Sequence, residues 1–327
     1  MKFKLLATSL LLSWLSALSA HAQEWPAKAI TLIVPFAAGG GIDGSARLQA
    51  LALSEVLKQS VIVENIGVAG GTVGTGRAAK AAPDGYTMLI GNSGTHAYAA
   101  TLYKNLPYDP VKDFEPISMT TESARILVVR KDLPVNNLQE FIAYAKANQA
   151  KMQYGSAGVG SGTHLPCALL NMTIGINVVH VPYRGAGPAM QDLVGGRIDY
   201  MCDTIQTGAE QAKSDTVKGL AVMAQRRAPI IDLPTTAEAG LAGVEASVWN
   251  GFFFPKGTPR EIVDKMNKAL GQVVERPDVA KRMADFGLEI VPAERRTPEY
   301  LAGFMPQDID RWAKTIQAAG LAGSAGK

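Results

Sequence analysis

The sequence predicts an α/β protein with two domains, on two observations. Its 327 residues are 47% hydrophobic and 19% charged, which provides for two packed interiors and excludes an intrinsically disordered chain. Short apolar stretches alternate with glycine turns and helical stretches, a pattern typical of βαβ units. We therefore expect α/β domains whose sheets are largely parallel.

The charge of the chain is close to balance. Its 32 lysines and arginines against 29 aspartates and glutamates give a formal net charge of +3. A nucleic-acid-binding protein is expected to show a basic excess or a basic stripe. The sequence has neither, so we expect no nucleic-acid partner.

The first residues predict a secretory signal peptide. Two early lysines precede an apolar stretch, and Ala20-His21-Ala22 forms a small-residue cleavage site, so we expect residues 1–22 to be removed after Ala22. The alternative is an uncleaved membrane anchor, but the apolar stretch is short for a spanning helix. An exported, periplasmic protein is expected.

The first predicted strand, residues 30–36, is a compact apolar run that leads into Gly39-Gly40-Gly41 and a helical stretch. The same order of strand, glycine turn and helix recurs along the chain. Further strands are predicted at residues 61–64, 87–90, 126–129, 152–155, 178–182, 198–202, 218–223 and 249–255. Helices are predicted at residues 42–58, 75–82, 136–148, 184–194, 259–275 and 298–319.

These elements suggest two α/β lobes with a ligand cleft between them. The chain is expected to cross to the second lobe near residue 125 and to return near residue 250. The first lobe would then comprise residues 23–125 and 250–327, and the second lobe residues 126–249.

Two glycine-rich loops, residues 36–43 and 155–164, follow predicted strands. In open α/β sheets, ligands bind outside the carboxyl ends of strands, where N–H groups at helix N-termini attract anions. Glycine permits close approach of a ligand, and Ser156, Ser161 and Thr163 add hydroxyl groups suited to a carboxylate. The alternative is a pair of ordinary tight turns. Neither loop has the spacing of a nucleotide-binding motif.

Three residues near these strand ends have a catalytic alternative. Ser93 lies in a segment that resembles a nucleophile elbow, except that Thr95 replaces the second glycine. His164 begins a predicted helix, which disfavours its charged form and suits a neutral hydrogen-bonding ring. Asp203 follows a strand, where it can accept a ligand donor, or it can pair with Asp199 in acid–base work. An exported serine hydrolase is therefore the rival function.

Cys167 and Cys202 are the only cysteines. In an oxidising compartment they can form a disulfide, and the alternative is two small buried thiols. The remaining mature-chain histidines, His96, His164 and His180, are scattered, and no C-x-x-C motif is present. We therefore expect neither a metal site nor a cofactor.

Several motifs that are weak alone recur in one order along the chain. They are IVPFAAGGGID at residues 33–43, VEN at 63–65, AGG at 69–71, APDGY at 82–86, LPYDPVKDF at 106–114, YGS at 154–156, THL at 163–165, HVPYRG at 180–185, GG at 195–196, LPT at 233–235, EAG at 238–240, Trp249 and PKGTP at 255–259. In this order and spacing the mature chain resembles the Bug-type periplasmic solute receptors of tripartite tricarboxylate transporters.

The resemblance implies a type II periplasmic-binding-protein fold that closes on a small organic acid and delivers it to a membrane permease. It implies a binding protein, most simply a monomer, and no enzyme. Family members hold a ligand carboxylate between the two glycine loops, largely through backbone amides and ordered waters. The ligand-binding residues that it implies here are Phe36, Ala38, Gly39, Gly40 and Ser93 in the first lobe, and Ser156, Gly158, Gly160, Thr163, His164 and Asp203 in the second.

Two departures from the family pattern bear on these expectations. Ala37-Ala38 stands where many relatives have proline in the first loop, which leaves a free N–H at each position. Cys167 and Cys202 stand where most relatives have an apolar residue. Both positions differ from the family pattern together, and this favours a disulfide between Cys167 and Cys202.

The predicted function is that of a receptor whose ligand bridges two lobes and shifts an open–closed equilibrium. The far end of the ligand is expected to set specificity through Arg125, Tyr183, Arg184 and Asp203. A dicarboxylate or an aromatic acid is expected, and an amino acid stays open. A further alternative is a binding protein that signals to a sensor kinase, because it would use the same closed surface.

Overall fold

The computed structural model describes residues 24–36, 38–39, 41–183 and 185–325. The predicted signal peptide, residues 1–22, lies outside the described residues, as do Gly40 and Arg184 of the predicted site. Among the helices of the described ranges, none is long and apolar enough to cross a membrane.

The described chain alternates strands and helices, as the sequence predicts. The strands are β1 (Ile30–Val34), β2 (Val61–Asn65), β3 (Thr87–Asn92), β4 (Phe114–Ser123), β5 (Arg125–Arg130), β6 (Gln153–Ser156), β7 (Val179–Pro182), β8 (Tyr200–Thr204), β9 (Val217–Met223), β10 (Val248–Pro255) and β11 (Glu289–Ile290). The helices are α1 (Gly41–Leu57), α2 (Thr72–Ala79), α3 (Ala99–Leu102), α4 (Leu138–Asn148), α5 (Leu165–Ile174), α6 (Ala186–Val194), α7 (Ile205–Lys213), α8 (Arg260–Val274), α9 (Pro277–Asp285) and α10 (Pro298–Ala318).

The strands form two sheets, which confirms the α/β class. The first sheet has the order β11-β4-β10-β3-β1-β2, and the second the order β7-β6-β8-β5-β9. In the first sheet β1 is parallel to β2 and β3, while β10 is antiparallel to β3 and β4. In the second sheet β6 is parallel to β7 and β8, while β5 is antiparallel to β8 and β9.

The expectation of largely parallel sheets is wrong, because both sheets are mixed. The antiparallel pairings of β5 and β10 arise where the chain passes from one sheet to the other. It leaves the first sheet after β4, enters the second as β5 and returns as β10. A strand that arrives from another sheet is not the end of a helical crossover, so the parallel βαβ geometry does not constrain its direction.

Most predicted elements are present within a few residues of their expected bounds. Helix α4 shows why, since the side chain of Asn137 accepts a hydrogen bond from the N–H of Glu140 and so caps the helix start. Strands β4 and β11 and helices α3, α7 and α9 were not predicted. Strand β4 contains Pro116 and a run of serine and threonine that lies buried, a composition typical of loops.

Two apolar clusters show how the sheets are covered. Ile30, Leu32 and Val34 alternate along β1 and pack with side chains of α1 and α8. A second cluster joins residues of β5 and β8 to Tyr98, Leu102 and α10. Helix α10 therefore packs against residues of the second sheet and against Tyr98 and Leu102, which follow strand β3 of the first sheet. The lobe boundaries at residues 125 and 250 stay a prediction.

Candidate functional site

Most of the predicted ligand-binding residues lie at or just after the carboxyl ends of strands in the two sheets. Strand β1 leads into the first glycine loop, and β3 ends just before Ser93. In the second sheet, β6 leads into the 157–164 loop and β8 contains Asp203 near its end. Because β6 and β8 are parallel neighbours, with Gly155 opposite Met201, Asp203 lies beside the start of that loop.

The first glycine loop is held by a residue that the sequence analysis did not single out. Asp43 accepts hydrogen bonds from the N–H of Gly39 (2.9 Å), from Arg47 Nε (3.0 Å) and from Asn65 Nδ2 (2.8 Å). Burial raises the pKa of Asp43, but these hydrogen bonds outweigh it and leave the pKa lowered. The signal for this role was an acidic residue in the first turn of α1.

The predicted residues of this loop differ in their availability. Phe36 is half-buried, whereas Ala38 and Gly39 are exposed. The Gly39 N–H is already donated to Asp43, and its φ of +84° is one that glycine adopts without strain.

Ser93 is fully buried at the end of β3. Its Oγ accepts a hydrogen bond from the N–H of Trp249 at 3.2 Å, which joins β3 to the returning strand β10. The ring nitrogen Nε1 of Trp249 donates to Asp308 at 2.8 Å. Trp249 and Phe252 are both buried. Phe252 packs in an apolar cluster of the first sheet, whereas Trp249 also lines the cavity described below.

The 157–164 loop satisfies several of its own backbone amides. The N–H of Ala157 donates to Thr163 Oγ1 (2.8 Å), that of Gly158 to Ser156 Oγ (3.1 Å), and that of Gly160 to His164 Nδ1 (3.0 Å). The predicted amides of Gly158 and Gly160 are therefore occupied inside the loop. A loop braced in this way presents a rigid surface to a ligand.

Three other amides of this loop are free to bind an anion. The N–H groups of Val159, Gly162 and Thr163 donate no hydrogen bond to any other described residue. Successive unpaired N–H groups in a tight loop form a concavity that suits a carboxylate. The sequence analysis predicted that this loop binds the ligand, which stays a prediction, and it did not identify which amides the loop leaves open.

A stack of aromatic rings supports the loop from below. The rings of His164 and His180 stack at 3.9 Å between centroids, and Tyr154 stacks on His180 at 4.9 Å. His180 Nε2 lies 2.6 Å from Ser156 Oγ. Burial lowers the pKa of His164 to about 3, with a further contribution from His180, and lowers that of His180 to about 4. Both rings are neutral at pH 7, so His164 Nδ1 accepts the Gly160 N–H.

Arg125 is a buried cation at the first crossing between the sheets. Only 5% of its surface is exposed. Its Nε donates to the carbonyl of Gly162 at 2.6 Å, and its Nη1 lies near Ser123 Oγ and the Ala124 carbonyl. It forms no salt bridge with any described residue. Burial lowers the pKa of Arg125, and the nearby Tyr98 and Asp203 oppose that effect.

Asp203 is a buried anion near the same strand ends. It is fully buried, and neither carboxylate oxygen has a hydrogen-bond partner among the described residues. Burial raises the pKa of Asp203 to about 6, although the Thr204 N–H and the charge of Arg125 act in the opposite direction. The structure thus brings Arg125 and Asp203 into electrostatic range without joining them.

Tyr183 is one of the residues that were expected to set specificity. The Tyr183 hydroxyl donates to Asp192 on α6 at 2.8 Å, so its polar atom is already engaged.

No hydrogen bond among the described residues joins Ser93 to His164 or His164 to Asp203. The nucleophile–base contact that a serine hydrolase requires is therefore not formed by these residues.

Cys167 on α5 and Cys202 on β8 form a disulfide, with their Cα atoms 5.4 Å apart. The bond ties the helix that follows the 157–164 loop to the strand that contains Asp203. No group of His, Cys, Asp and Glu side chains within the described ranges has a metal-binding arrangement.

A separate cavity of about 670 Å³ is lined by residues that include Ala124, Trp249 and Tyr300. None of the predicted ligand-binding residues lines it. Its acidic side chains are largely paired with arginines, as in the contacts of Arg295 with Glu122 and of Arg311 with Asp308. Arg125 and Asp203, in contrast, have no salt-bridge partner among the described residues.

Known proteins resemble this chain over most of its length. A family model described as tripartite tricarboxylate transporter family receptor matches residues 45–321. Among solved structures, the periplasmic binding protein BugD is 39% identical with a TM-score of 0.81, and the match covers 91% of this chain and 99% of BugD.

Two further solved structures contain a ligand. MatC from Rhodopseudomonas palustris, solved with bound malate, is 38% identical with a TM-score of 0.81 and covers 89% of this chain and 100% of its own. Another R. palustris protein, solved with adipate, is 33% identical with a TM-score of 0.83 and covers 91% of this chain and 99% of its own. These likenesses confirm the predicted periplasmic-binding-protein class of fold.

Proposed function

Because the chain belongs to the family of tripartite tricarboxylate transporter receptors, we propose that it captures a small carboxylate between two lobes and delivers it to the membrane subunits of such a transporter. The similarity to structures solved with malate and with adipate supports a dicarboxylate as the ligand. The function is binding and release, and no bond of the ligand is broken.

The observation that carries the proposal is the unpaired guanidinium of Arg125. A buried charge without a counterion is costly, so proteins pair such groups or use them to bind a ligand. Arg125 lies against Gly162, whose own N–H is free together with those of Val159 and Thr163. A carboxylate at this position would be met by a cation and by amide donors, a strong combination for an anion.

The other ligand-binding residues of the proposal lie at the two loops. The first loop provides Phe36, Ala38 and Gly39, with Gly40 outside the described residues. Ser93 contributes from β3. The second loop contributes through residues Ser156, Gly158, Gly160, Thr163 and His164, and Asp203 faces the ligand from β8. Where a loop amide is already donated internally, the residue acts by shaping the loop.

Closure of the lobes is the step that couples binding to delivery. A ligand that contacts both loops stabilises the closed arrangement by its extra affinity for it. The closed receptor would then dock on the permease. Docking would take place in the periplasm, to which the signal peptide directs the chain before it is cleaved after Ala22. The description of BugD as periplasmic supports this location. The receptor acts as a monomer with boundaries between lobes near residues 125 and 250.

The proposal is tested by thermal shift and calorimetric titration with dicarboxylates, tricarboxylates, aromatic acids and amino acids. A ligand at one hundred times its Kd stabilises the folded state by about 2.7 kcal/mol, which raises Tm by a few degrees. Arg125→Met should weaken the best acid at least about 30-fold, because truncation of a buried charge contact costs 2 kcal/mol or more.

The matched control is Arg227→Met, which changes an exposed arginine whose partners are the surface acids Asp232 and Glu238. It should leave the affinity unchanged. The absence of a shift with every acid, or consumption of an acid during incubation, would contradict the receptor function.

A further inference from the structure

One segment between α9 and β11, residues 285–289, contacts residues that follow strands of the second sheet. Gln206, in the first turn of α7, donates from its Nε2 to the Asp285 carbonyl at 2.9 Å. A Cβ on Gly287 would lie 2.8 Å from Gln206 Cβ and 3.0 Å from its backbone nitrogen. The φ of Gly287 is +66°, which favours glycine, and the proximity of Gln206 is a second reason that a side chain does not fit. The two backbones therefore approach closely.

An ion pair joins the far end of the same segment to the second sheet. Arg226 follows β9, an edge strand of the second sheet, and its Nη2 lies 3.5 Å from Oε2 of Glu289 on β11. Glu289 is opposite Glu122 in the pairing of β11 with β4, and Glu122 is itself held by both Nη atoms of Arg295. Burial raises the pKa of Glu289 and the charge of Glu122 adds to this, while Arg226 acts in the opposite direction. Arg226 is therefore the cation that offsets the like charge beside Glu289.

The Gln206 contact lies beside the helix starts of both sheets. Phe286 packs against Gly44, where an added Cβ would lie 3.3 Å from the ring. Gly44 is in the first turn of α1, next to the Asp43 that holds the first glycine loop. Gln206 is in the first turn of α7, which follows β8. The contact thus joins the helix that follows β1 to the helix that follows β8, and it uses none of the residues proposed to bind the ligand.

Resting on the proposed function, we propose that residues 285–289 form a closure latch with Gln206 and Arg226. The latch contacts form when the lobes close, and they stabilise the closed state around the ligand. The latch does not touch the ligand. It therefore raises the affinity for every acid by one common factor and leaves the preference among acids unchanged.

The common factor follows from the separation of the latch from the ligand. The apparent affinity of a receptor falls in proportion to the population of its binding-competent state. A change at the latch alters the open–closed equilibrium equally for every acid, because the latch makes no contact with any of them. A weakened latch opens faster, so the loss of affinity is expected in the dissociation rate rather than in the association rate.

Charge reversal tests the ion pair of the latch. Arg226→Glu places two carboxylates against each other, and Glu289→Arg places two guanidinium groups against each other. Each variant should weaken every acid at least about threefold, through faster dissociation. The double variant Arg226→Glu/Glu289→Arg restores opposite charges and should regain the wild-type affinity to within about twofold. Calorimetric titration measures the affinities, and surface plasmon resonance measures the rates.

The other half of the latch is tested without a change of charge. Gln206→Ala removes the donor to the Asp285 carbonyl and should weaken every acid by a common factor of about two to ten. One control is Gln211→Ala, on the same helix, whose side chain accepts a hydrogen bond from the nearby Thr216. A second control is Arg227→Glu, an exposed arginine whose partners are surface acids. Neither control should change the affinity or the dissociation rate.

The outcomes separate the latch from the proposed function. Different factors for different acids, unchanged affinity in the single reversal variants, or no rescue by the double variant would overturn the latch and leave the receptor standing. If a reversal variant does not fold, Gln206→Ala against Gln211→Ala decides the matter. Failure of every acid with the wild-type protein would overturn the proposed function. Small-angle scattering then decides the latch, because the single reversal variants should have a larger radius of gyration than the wild type and the double variant, and equal radii would overturn it.

Discussion

Buried titratable groups dominate the site at the scale of single residues. Among the described residues, buried Arg125 has no salt-bridge partner and buried Asp203 has no hydrogen-bond partner for its carboxylate oxygens. Burial keeps His164 and His180 neutral. Such groups are costly to the fold, and they cluster where a protein binds something. Two predictions follow from their pKa values.

The first concerns the stability of the ligand-free protein with Asp203→Asn. The folded-state pKa of Asp203 is raised from 3.8 to about 6. As pH rises from about 4 to 6, the unfolded carboxyl ionises while the folded one keeps its proton, so stability is lost over that window. The asparagine does not titrate, and its advantage over the wild type should grow by about 2 kcal/mol between pH 4 and pH 7.

Chemical denaturation at a series of pH values measures this difference. Asp232→Asn, an exposed control, should keep a constant offset from the wild type. A constant offset for Asp203→Asn as well would mean that Asp203 ionises normally in the folded protein.

The second prediction concerns the histidines. Burial lowers the pKa of His96 to about 3, as it lowers those of His164 and His180. In a chain that starts at Gln23, the ring nitrogen signals of all three should show no titration between pH 8 and pH 5 by NMR. His164 should be in the Nε2–H form, because its Nδ1 accepts the Gly160 N–H. A ring that titrates near pH 6.5 would show that the aromatic stack opens.

At the scale of elements, the disulfide connects the parts that position the site. Cys167 on α5 and Cys202 on β8 are separated by 35 residues, and both are fully buried. The link fixes the helix after the 157–164 loop against the strand of Asp203. It therefore restrains both sides of the proposed ligand site within one lobe.

Removal of this link should lower the stability of the protein. Closing a loop of this length reduces the entropy of the unfolded chain by an amount equivalent to about 3 to 4 kcal/mol. Equilibrium denaturation of the wild type with and without a thiol reductant measures the loss. The double variant Cys167→Ala/Cys202→Ala should be insensitive to reductant, and a wild type equally insensitive would show that the bond is not formed.

At the scale of the whole molecule, residues from elements of both sheets meet at two glycines. A Cβ on Gly160 would lie 2.5 Å from Leu102 Cδ1. A Cβ on Gly287 would lie 2.8 Å from Gln206 Cβ and 3.0 Å from its backbone nitrogen, and Gln206 Nε2 also donates to the Asp285 carbonyl at 2.9 Å. In both pairs, the two residues belong to different lobes of the division predicted at residues 125 and 250.

Gly287→Ala should therefore weaken ligand binding by favouring a more open arrangement. The added methyl group meets the backbone of Gln206, which cannot move as a flexible side chain can. Small-angle scattering should show a larger radius of gyration, and titration a weaker affinity. The control is Gly320→Ala, since Gly320 has a similar φ of +68° and no atom within 4 Å of the added carbon. Equal effects of both variants would point to backbone strain alone.

The sequence by itself determined the α/β class, the family and the two loops, because apolar periodicity, glycine turns and short motifs are local properties of the chain. Helix α4 illustrates this, since its apolar face and its cap are both written in adjacent residues. Strand β4 was missed because its serines and threonines become buried only through pairing with the distant strand β10. The antiparallel strands likewise depend on where the chain changes sheets.

Only the tertiary structure decided which atoms of the site are available. The side chains of Asp43 and His164 accept the N–H groups of Gly39 and Gly160, four residues earlier in each case, and the loop motifs alone do not reveal these contacts. The unpaired state of Arg125 and Asp203 also depends on what packing removes from water around each charge. Burial and partnership are properties of the folded chain, because they arise between residues that the sequence holds far apart.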